Sequence, residues 1–314
     1  MSLRKIAIFG VGLIGGSFAL ALKQKSAVAE VVEVVGVGRR RDTLERAQSL
    51  GLIDRIAADV ADAVTGADLV LIAAPVAQTG ALLASIAPHL QPGTVVTDAG
   101  STKSDVEQAA RAALGAKISQ FVPGHPIAGR EQNGPEAALA DLYAGKKVIL
   151  TPLPENTPEA IDRVADAWRH CGAIIHQLTP QEHDGVFAAV SHLPHLLAYA
   201  LVDDIASRPH AARLFQYAAS GFRDFTRIAG SSPEMWRDIA LANRPALLAE
   251  LDAYLAQVTQ LRELLNKQDG AALEALFARA QHARQAWIAA IEAAEQQRPY
   301  EQGGDGIEAL SASH

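Results

Sequence analysis

The segment GHPIAG at 124–129 contains the side chain with the most specific chemistry in this sequence. His125 stands between a glycine and a proline, in what the sequence predicts to be a loop among strand ends, which disfavours a packing role. An imidazole near its ordinary pKa accepts protons at neutral pH and suits a general base. A histidine in such a loop could also be structural, so its assignment depends on the other segments.

Two further segments carry polar side chains suited to a ligand site. Ser101 follows a predicted strand, where its hydroxyl could meet a ligand or cap the next helix. His192 and His195 share one face of a predicted helix that Pro194 should kink, and they could simply line its core. Two histidines at this spacing can belong to a zinc site, but no third ligand stands out, so we predict no metal.

An arginine lies among aromatic residues in the segment GFRDFTRIA at 221–229. In an apolar pocket Arg227 could hold a carboxylate through two hydrogen bonds, although an isolated arginine is more often a surface charge. The segment SSPE at 231–234 has the serine, proline and acid typical of a helix start, and Trp236 falls inside that helix.

A glycine-rich turn lies between the first predicted strand and the first predicted helix. Gly10 would permit the tight turn, Gly12 would let a pyrophosphate approach the backbone, and Gly15 would let helix and strand pack closely. Leu13 and Ile14 would place their backbone at the helix N-terminus, which favours an anion. The pattern predicts a dinucleotide site.

The end of the second predicted strand bears on the choice of cofactor. No acidic residue follows Val37 where NAD enzymes place one, and Arg39 and Arg40 follow instead. These arginines could bind the 2′-phosphate of NADP, or they could form a solvated basic turn. We expect NADP to be favoured, with NAD as the alternative. Ala74 and Pro75 end another strand on the same side and complete the predicted cofactor site.

Strands and helices alternate through the first half of the chain, which predicts a parallel sheet with right-handed crossovers. The predicted strands cover 6–9, 31–37, 69–73, 94–97, 147–151 and 173–177, and the predicted helices cover 17–25, 42–50, 76–87 and 158–171. Helical periodicity alone follows, with a leucine stripe over 245–266 that suits a core or an oligomer interface. We therefore predict an α/β Rossmann-type dinucleotide-binding domain over 1–178, an all-α dimerisation domain over 179–295 and a disordered tail over 296–314.

The composition excludes several classes of protein. The chain has 314 residues, 49% of them hydrophobic, and a net charge of -7, which argues against nucleic-acid partners and acidic membranes. Cys171 is the only cysteine, so an internal disulfide is impossible and a cytoplasmic protein is favoured. No secretory signal opens the sequence, and the apolar runs are interrupted well before a bilayer-spanning length of about 20 residues.

Taken together, the motifs resemble those of the prephenate/arogenate (cyclohexadienyl) dehydrogenase family of tyrosine biosynthesis. They occur in the family's order at 10–17, 98–103, 124–129, 191–195, 221–229 and 235–239. The resemblance implies a homodimer that oxidises and decarboxylates prephenate, arogenate or both, with hydride transfer to NAD(P). Unlike some relatives, the sequence ends soon after the helical domain, so we expect no appended regulatory or chorismate mutase domain.

The resemblance further implies a role for each site residue. His125 matches the base that takes the proton of the ring hydroxyl, and Ser101 matches a serine hydrogen-bonded to that histidine. Arg227 matches the partner of the ring carboxylate. His195, Glu131 and Trp236 match positions in or near the substrate pocket.

The sequence leaves the substrate and two alternative functions open. Arg130 stands where relatives carry a small polar residue and could suit the keto-carboxylate of prephenate, whereas Glu131 could suit the ammonium of arogenate. One alternative is a β-hydroxyacid type of dehydrogenase, but the motif-bearing helices lack the lysine those enzymes use. The other is a nucleotide-sensing protein without catalysis, which would not need His125, Ser101 and Arg227 together.

Overall fold

A computed structural model describes residues 3–24, 33–130 and 132–296 of the chain. By internal contacts the chain divides into two compact units, Met1–Leu251 and Asp252–His314. The first unit therefore contains both the predicted dinucleotide-binding part and the first helices after it. The predicted domain boundary after residue 178 stays a prediction, and almost all of the tail predicted to be disordered lies outside the described residues.

The main sheet of the first unit has five parallel strands in the order β3-β2-β1-β4-β5. They are β1 (Lys5–Phe9), β2 (Glu33–Val37), β3 (Arg55–Ile56), β4 (Leu69–Ile72) and β5 (Val95–Asp98). The helices around them are α1 (Leu13–Gln24), α2 (Arg41–Ser49), α3 (Val60–Val64), α4 (Thr79–Ile86) and α5 (Ser104–Leu114). Apolar residues fill both faces of the sheet, as its β-branched, continuously apolar strands predict. This confirms the Rossmann-type fold.

A second sheet of three strands carries His125, and the sequence did not predict its first strand. It contains β6 (Gly124–Pro126), β7 (Lys147–Leu150) and β8 (Ile174–Gln177), with α6 (Pro158–His170) between the last two. β6 runs antiparallel to β7, so His125 lies in a short edge strand and the expected loop is wrong. Three residues that include a proline carry no strand periodicity, and their pairing is decided by tertiary contacts.

All the described residues after Gln177 that form regular structure are helical, as predicted. The helices are α7 (Pro180–Phe187), α8 (Leu193–Ala206), α9 (Ala211–Gln216), α10 (Ser220–Thr226), α11 (Pro233–Ala242), α12 (Arg244–Asn266) and α13 (Gly270–Gln296). A π-helical turn, Ala188–His192, joins α7 to α8. There the N–H of Leu193 donates to the carbonyl of Ala188, five residues earlier, so the backbone adjusts just before Pro194 and the helix continues.

The stretch Pro180–Ala206 is long and apolar enough to cross a bilayer by length and composition alone. The expectation that every apolar run stops well short of that length is therefore wrong for this stretch. Its polar residues His183, Asp184 and His192 are buried and hydrogen-bonded within the first unit. One such helix is weak evidence for a membrane span, and these contacts give its polar positions a role in the fold.

The leucine-rich stripe is helical, as predicted, and is largely uncovered in the single chain. In α12 only Leu247 is buried, whereas Leu248, Leu255 and Leu265 are each more than half exposed. In the second unit α13 likewise exposes large apolar side chains, among them Trp287 at 60%. Several large apolar side chains exposed on one helix are typical of a surface that another protein surface covers.

Candidate active site

A cavity of about 690 Å³ opens at the carboxyl ends of β1, β2 and β4, where open α/β sheets bind ligands. Of the residues predicted to hold the cofactor, six line it: Gly10, Gly12, Arg39, Arg40, Ala74 and Pro75. Leu13, Ile14 and Gly15 do not line it. The Leu13 side chain is buried in the core while its backbone begins α1, and the Ile14 carbonyl accepts a 2.6 Å hydrogen bond from the Tyr143 hydroxyl. These residues therefore support the conformation of the turn and do not face the cavity.

The three glycines of the turn are required for different reasons. Gly10 has a φ of +99°, and a β-carbon there would lie 2.5 Å from the carbonyl oxygen of Ala73. A β-carbon on Gly15 would overlap the carbonyl oxygen of Gly10. A β-carbon on Gly12 would meet no protein atom within 4 Å. Packing therefore explains Gly10 and Gly15, and the open space at Gly12 fits a pyrophosphate at the N-terminus of α1.

The arginines after β2 differ in their surroundings. β2 ends at Val37, the register that the cofactor prediction assumed. Arg40 pairs at 2.5 Å with Asp42 in the first turn of α2, and this hydrogen bond lowers the pKa of the Asp42 carboxyl to about 2. Arg39 lines the cavity and has no hydrogen-bond or ion-pair partner among the described residues. It is the arginine best placed to bind an anion here.

The imidazole of His125 lies in a chain of hydrogen-bonded side chains. Its Nδ1 is 2.8 Å from Nε2 of His183, and Nδ1 of His183 is 2.8 Å from Oδ1 of Asp184. Burial, with smaller contributions from His183, Lys103 and His192, holds the pKa of His125 well below its ordinary value. A neutral imidazole at neutral pH follows, which is the state that a general base needs.

Asp184 also caps the helix that starts after Ser101. Its two carboxylate oxygens accept 2.8 Å hydrogen bonds from the backbone N–H groups of Lys103 and Ser104 at the start of α5. Burial raises the pKa of Asp184, but these bonds and the one from His183 outweigh it and keep the pKa below its ordinary value. Ser101 is therefore not the cap, because Asp184, which lies 80 positions after Ser104, supplies it.

A buried ion pair that the sequence did not reveal fixes the loop beside His125. Lys103 Nζ lies 2.5 Å from Oδ2 of Asp98, and both side chains are almost fully buried. The same carboxylate accepts hydrogen bonds from the backbone N–H groups of Gly100 and Gly124. A buried carboxylate with three donors is well compensated and ties β5 to β6. Both residues belong to the motif DAGSTK at 98–103, which was the signal available in the sequence.

His192 fastens the π-helical turn to the loop that contains Ser101. Its ring makes a hydrogen bond with the Ser101 backbone, and its Nδ1 lies 3.1 Å from the side-chain nitrogen of Asn243. Burial lowers the pKa of His192 to about 4. The same Asn243 nitrogen donates to the carbonyl of Asp184 at 2.8 Å. His192 is thus a buried structural residue.

Three of the predicted substrate residues come together on the helical side. The rings of His195 and Trp236 stack with centroids 3.6 Å apart. Burial and then nearby Arg227 lower the pKa of His195, so that ring is neutral, and its Nδ1 bonds to the Ser191 carbonyl at 2.8 Å. Its Nε2 is left as an acceptor. Nε1 of Trp236 is buried and has no hydrogen-bond partner among the described residues, so it could serve a ligand.

Some predicted contacts are not found. No hydrogen bond links Ser101 to His125 among the described residues, and Nδ1 of that ring bonds to His183 instead. Arg227 is exposed in the single chain rather than enclosed in an apolar pocket. Glu131 lies outside the described residues. Within 3–24, 33–130 and 132–296 no group of three His, Cys, Asp or Glu side chains could hold a metal.

Trp236 connects the helical part to the cofactor cavity. It packs with Ile239 against Val76, which directly follows the cavity-lining Pro75. A dinucleotide-type cavity lined by Arg39, together with the hydrogen-bonded, neutral His125 in the same unit, is typical of one class of protein, the nicotinamide-dependent dehydrogenases.

Comparisons with known proteins identify the family. The nucleotide-binding domain of prephenate dehydrogenase matches residues 18–177, and the dimerization domain of the same family matches residues 179–279. A cyclohexadienyl dehydrogenase of Zymomonas mobilis is 40% identical over 283 residues, which cover 90% of this chain and 95% of that protein.

Solved structures agree. Prephenate dehydrogenase from Aquifex aeolicus, crystallised with hydroxyphenyl propionate and NAD+, has 34% identity and a TM-score of 0.81 and covers 93% of this chain and 99% of its own. Synechocystis arogenate dehydrogenase has 29% identity and a TM-score of 0.76, and the match covers 90% of this chain and 100% of that protein. The chain belongs to the prephenate dehydrogenase family and is an NAD(P)-dependent dehydrogenase.

Proposed function

We propose that this enzyme converts prephenate to 4-hydroxyphenylpyruvate, arogenate to tyrosine, or both, by oxidation coupled to loss of carbon dioxide. The observation that carries the proposal is a neutral, hydrogen-bonded His125 in the same unit as a dinucleotide cavity and the His195–Trp236 pair. The bound nicotinamide would supply the acceptor for a hydride from the ring carbon that bears the hydroxyl. Aromatisation of the ring then drives decarboxylation.

His125 is the proposed base of this reaction. As the hydroxyl carbon becomes a carbonyl, the hydroxyl proton must move to a group on the protein, and Nε2 of a neutral imidazole accepts it. No described residue bonds to that nitrogen, so it is available. Ser101 lies in the loop after β5, which Asp98 ties to β6. Its hydroxyl is proposed to contact the substrate hydroxyl beside His125.

Residues of the helical part are proposed to bind the charged groups of the substrate. Arg227 is proposed to hold the ring carboxylate through charge-assisted hydrogen bonds. His195 and Trp236 are proposed to line the pocket, since they offer one acceptor and one unpaired N–H. Glu131 is proposed to lie near the substrate side chain, where an acid would favour the ammonium of arogenate.

NADP is proposed as the preferred cofactor, with NAD as the alternative. Arg39 lines the cavity, no acid ends β2, and Asp42 is already paired with Arg40. An arginine at this position attracts a 2′-phosphate that NAD lacks. The Aquifex relative was crystallised with NAD+, so the proposed preference rests on residues of this chain and not on that relative.

The assembly and organisation are proposed as follows. Residues 1–178 and 179–295 form a dinucleotide-binding domain and a helical domain, and the exposed apolar faces of α12 and α13 pair in a two-fold homodimer. A cytoplasmic location suits such a biosynthetic enzyme. Light scattering at micromolar concentration should give the mass of two chains, and a stable monomer would contradict the dimer.

The decisive experiment measures initial rates with prephenate and with arogenate, each with NAD and with NADP. We expect carbon dioxide release and cofactor reduction in equal amounts with at least one combination. Absence of both products with every combination would overturn the proposal. Turnover of a β-hydroxyacid instead would favour that type of dehydrogenase, and cofactor binding without any turnover would favour a nucleotide sensor.

A further inference from the structure

Two buried side chains next to His125 belong to no motif used above. His183 and Asp184 are consecutive residues of α7, and neither is more than 5% exposed. They complete the hydrogen-bonded chain from Asp184 through His183 to His125, with 2.8 Å at each link. Phe187 packs on both rings, with centroids 4.9 Å from His125 and 4.5 Å from His183. Phe187 therefore covers both imidazole rings on one side and helps to fix the geometry of the three hydrogen-bonded side chains.

The chemistry of each group fixes the direction of every hydrogen bond. The carboxylate of Asp184 only accepts, so Nδ1 of His183 must carry the proton of that bond. Burial lowers the pKa of His183, which the bond to Asp184 only partly offsets, so the ring is neutral at neutral pH. A neutral ring protonated at Nδ1 has a lone pair at Nε2, so Nδ1 of His125 must be the donor of the second bond.

We infer that His183 and Asp184 form a positioning relay that holds His125 in the tautomer with a lone pair on Nε2. The inference rests on the proposed function, in which that nitrogen takes the substrate's proton. When the hydroxyl O–H bond breaks and the Nε2–H bond forms, His125 becomes a cation. His183 then accepts its Nδ1–H, and the charge of Asp184 stabilises the cation through His183, the arrangement used by histidine bases in acid–base triads.

Other charged and titratable groups near His125 do not replace the relay. Lys103 and Asp98 form a closed ion pair beside it, and their charges largely compensate each other. His192 faces it from the π-helical turn and is held by Asn243 and Ser101. Among the described residues, only His183 makes a hydrogen bond to the His125 ring.

Two variants of His183 separate positioning from packing. His183→Phe keeps an aromatic ring against Phe187 but removes the acceptor, so we expect kcat to fall about 100-fold because the His125 tautomer is no longer fixed. The KM values for substrate and cofactor should stay unchanged. His183→Gln keeps an amide oxygen that can accept from His125 and should recover most of kcat. His176→Phe, the same change at an exposed histidine of β8, should behave as native.

The pH profile gives a readout that packing alone would not move. Without an acceptor for its Nδ1–H, protonated His125 is less stable, so the acid limb of kcat/KM should move to lower pH in His183→Phe. In His183→Gln it should stay near the native position. An unmoved acid limb in His183→Phe would overturn the relay.

Nitrogen-15 NMR of the histidines in the native protein tests the tautomer without any variant. We expect the His125 proton on Nδ1, and a proton on Nε2 would overturn the relay. Native kcat in His183→Phe together with an inactive His125→Asn would overturn the relay alone. A fully active His125→Asn would overturn the proposed function itself.

Discussion

The cofactor cavity and the histidine relay are built in opposite ways. The cavity is lined by residues of the turns after β1, β2 and β4, and within each turn these residues are a few positions apart in sequence. The relay consists of charged and ionisable side chains from β6 and α7, which lie 58 residues apart. The cavity is open and binds by shape and dipole, whereas the relay is closed and acts by holding one proton in place. Local turns can thus specify a binding site, but acid–base chemistry here needs tertiary packing.

The largest loss of activity should come from a change to His125, the base that the relay holds. His125→Asn should lower kcat by roughly 10²–10⁴, the usual contribution of general base catalysis, and leave cofactor affinity unchanged. Stopped-flow or steady-state rates with isothermal titration of the cofactor test both statements. Near-native turnover would remove His125 from the mechanism.

In the cofactor cavity, Gly12→Val should weaken binding of the cofactor without unfolding the protein. A β-carbon there meets no protein atom, so the side chain should compete with the cofactor alone. A cost of about 1–3 kcal/mol for overfilling a site corresponds to roughly a 5- to 150-fold rise in the KM of the cofactor.

Gly15→Val is the matched comparison, because its β-carbon overlaps the Gly10 carbonyl and should lower the melting temperature instead. Equal melting temperatures for the Gly12→Val and Gly15→Val variants would contradict the different roles of the two glycines.

Arg227→Ala should raise the KM of the substrate about 10-fold, near the lower end for a charge-assisted hydrogen bond, because this arginine is exposed. Circular dichroism should not change. Arg223→Ala, in the exposed part of α10, is the control and should leave KM at its native value. If both variants behave alike, the ring carboxylate is held elsewhere.

The arginines after β2 should differ in their effect on cofactor choice. Arg39→Ala should lower kcat/KM with NADP by up to about 10-fold and leave NAD unaffected, since only NADP has a 2′-phosphate. Arg40→Ala should have a smaller effect because Arg40 already pairs with Asp42. Arg41→Ala, which disrupts a pair with Glu45 outside the cavity, serves as control. A native preference for NAD would contradict the assignment.

The buried histidines should also make the fold sensitive to mild acid. His125, His183 and His192 have lowered pKa values in the fold, so the unfolded chain binds more protons below about pH 6.5. Their contribution is fully present above that pH and is lost as pH falls from about 6.5 toward the folded pKa, which is about 4 for His192. Urea unfolding at pH 7.5 and 5.0 should show a lower free energy of unfolding at pH 5.0, and a constant value would contradict the burial.

The sequence by itself determined the class of fold and much of the cavity. Its apolar strands, the glycine turn and the helical second half follow from local periodicity and backbone freedom, which neighbouring residues set. It also singled out His125, His195 and Trp236, because the motifs that contain them occur in a recognisable order. The end of β2 at Val37 followed from the same local pattern.

Only the tertiary structure decided how the site is assembled. Nothing near Ser101 in the sequence indicates that Asp184 caps α5, or that His183 bonds to Nδ1 of His125. These contacts join distant segments, and their strength comes from burial, which removes competing water and lowers the local dielectric constant. Periodicity records which face of an element is apolar, but it does not record which polar groups meet when two such faces pack.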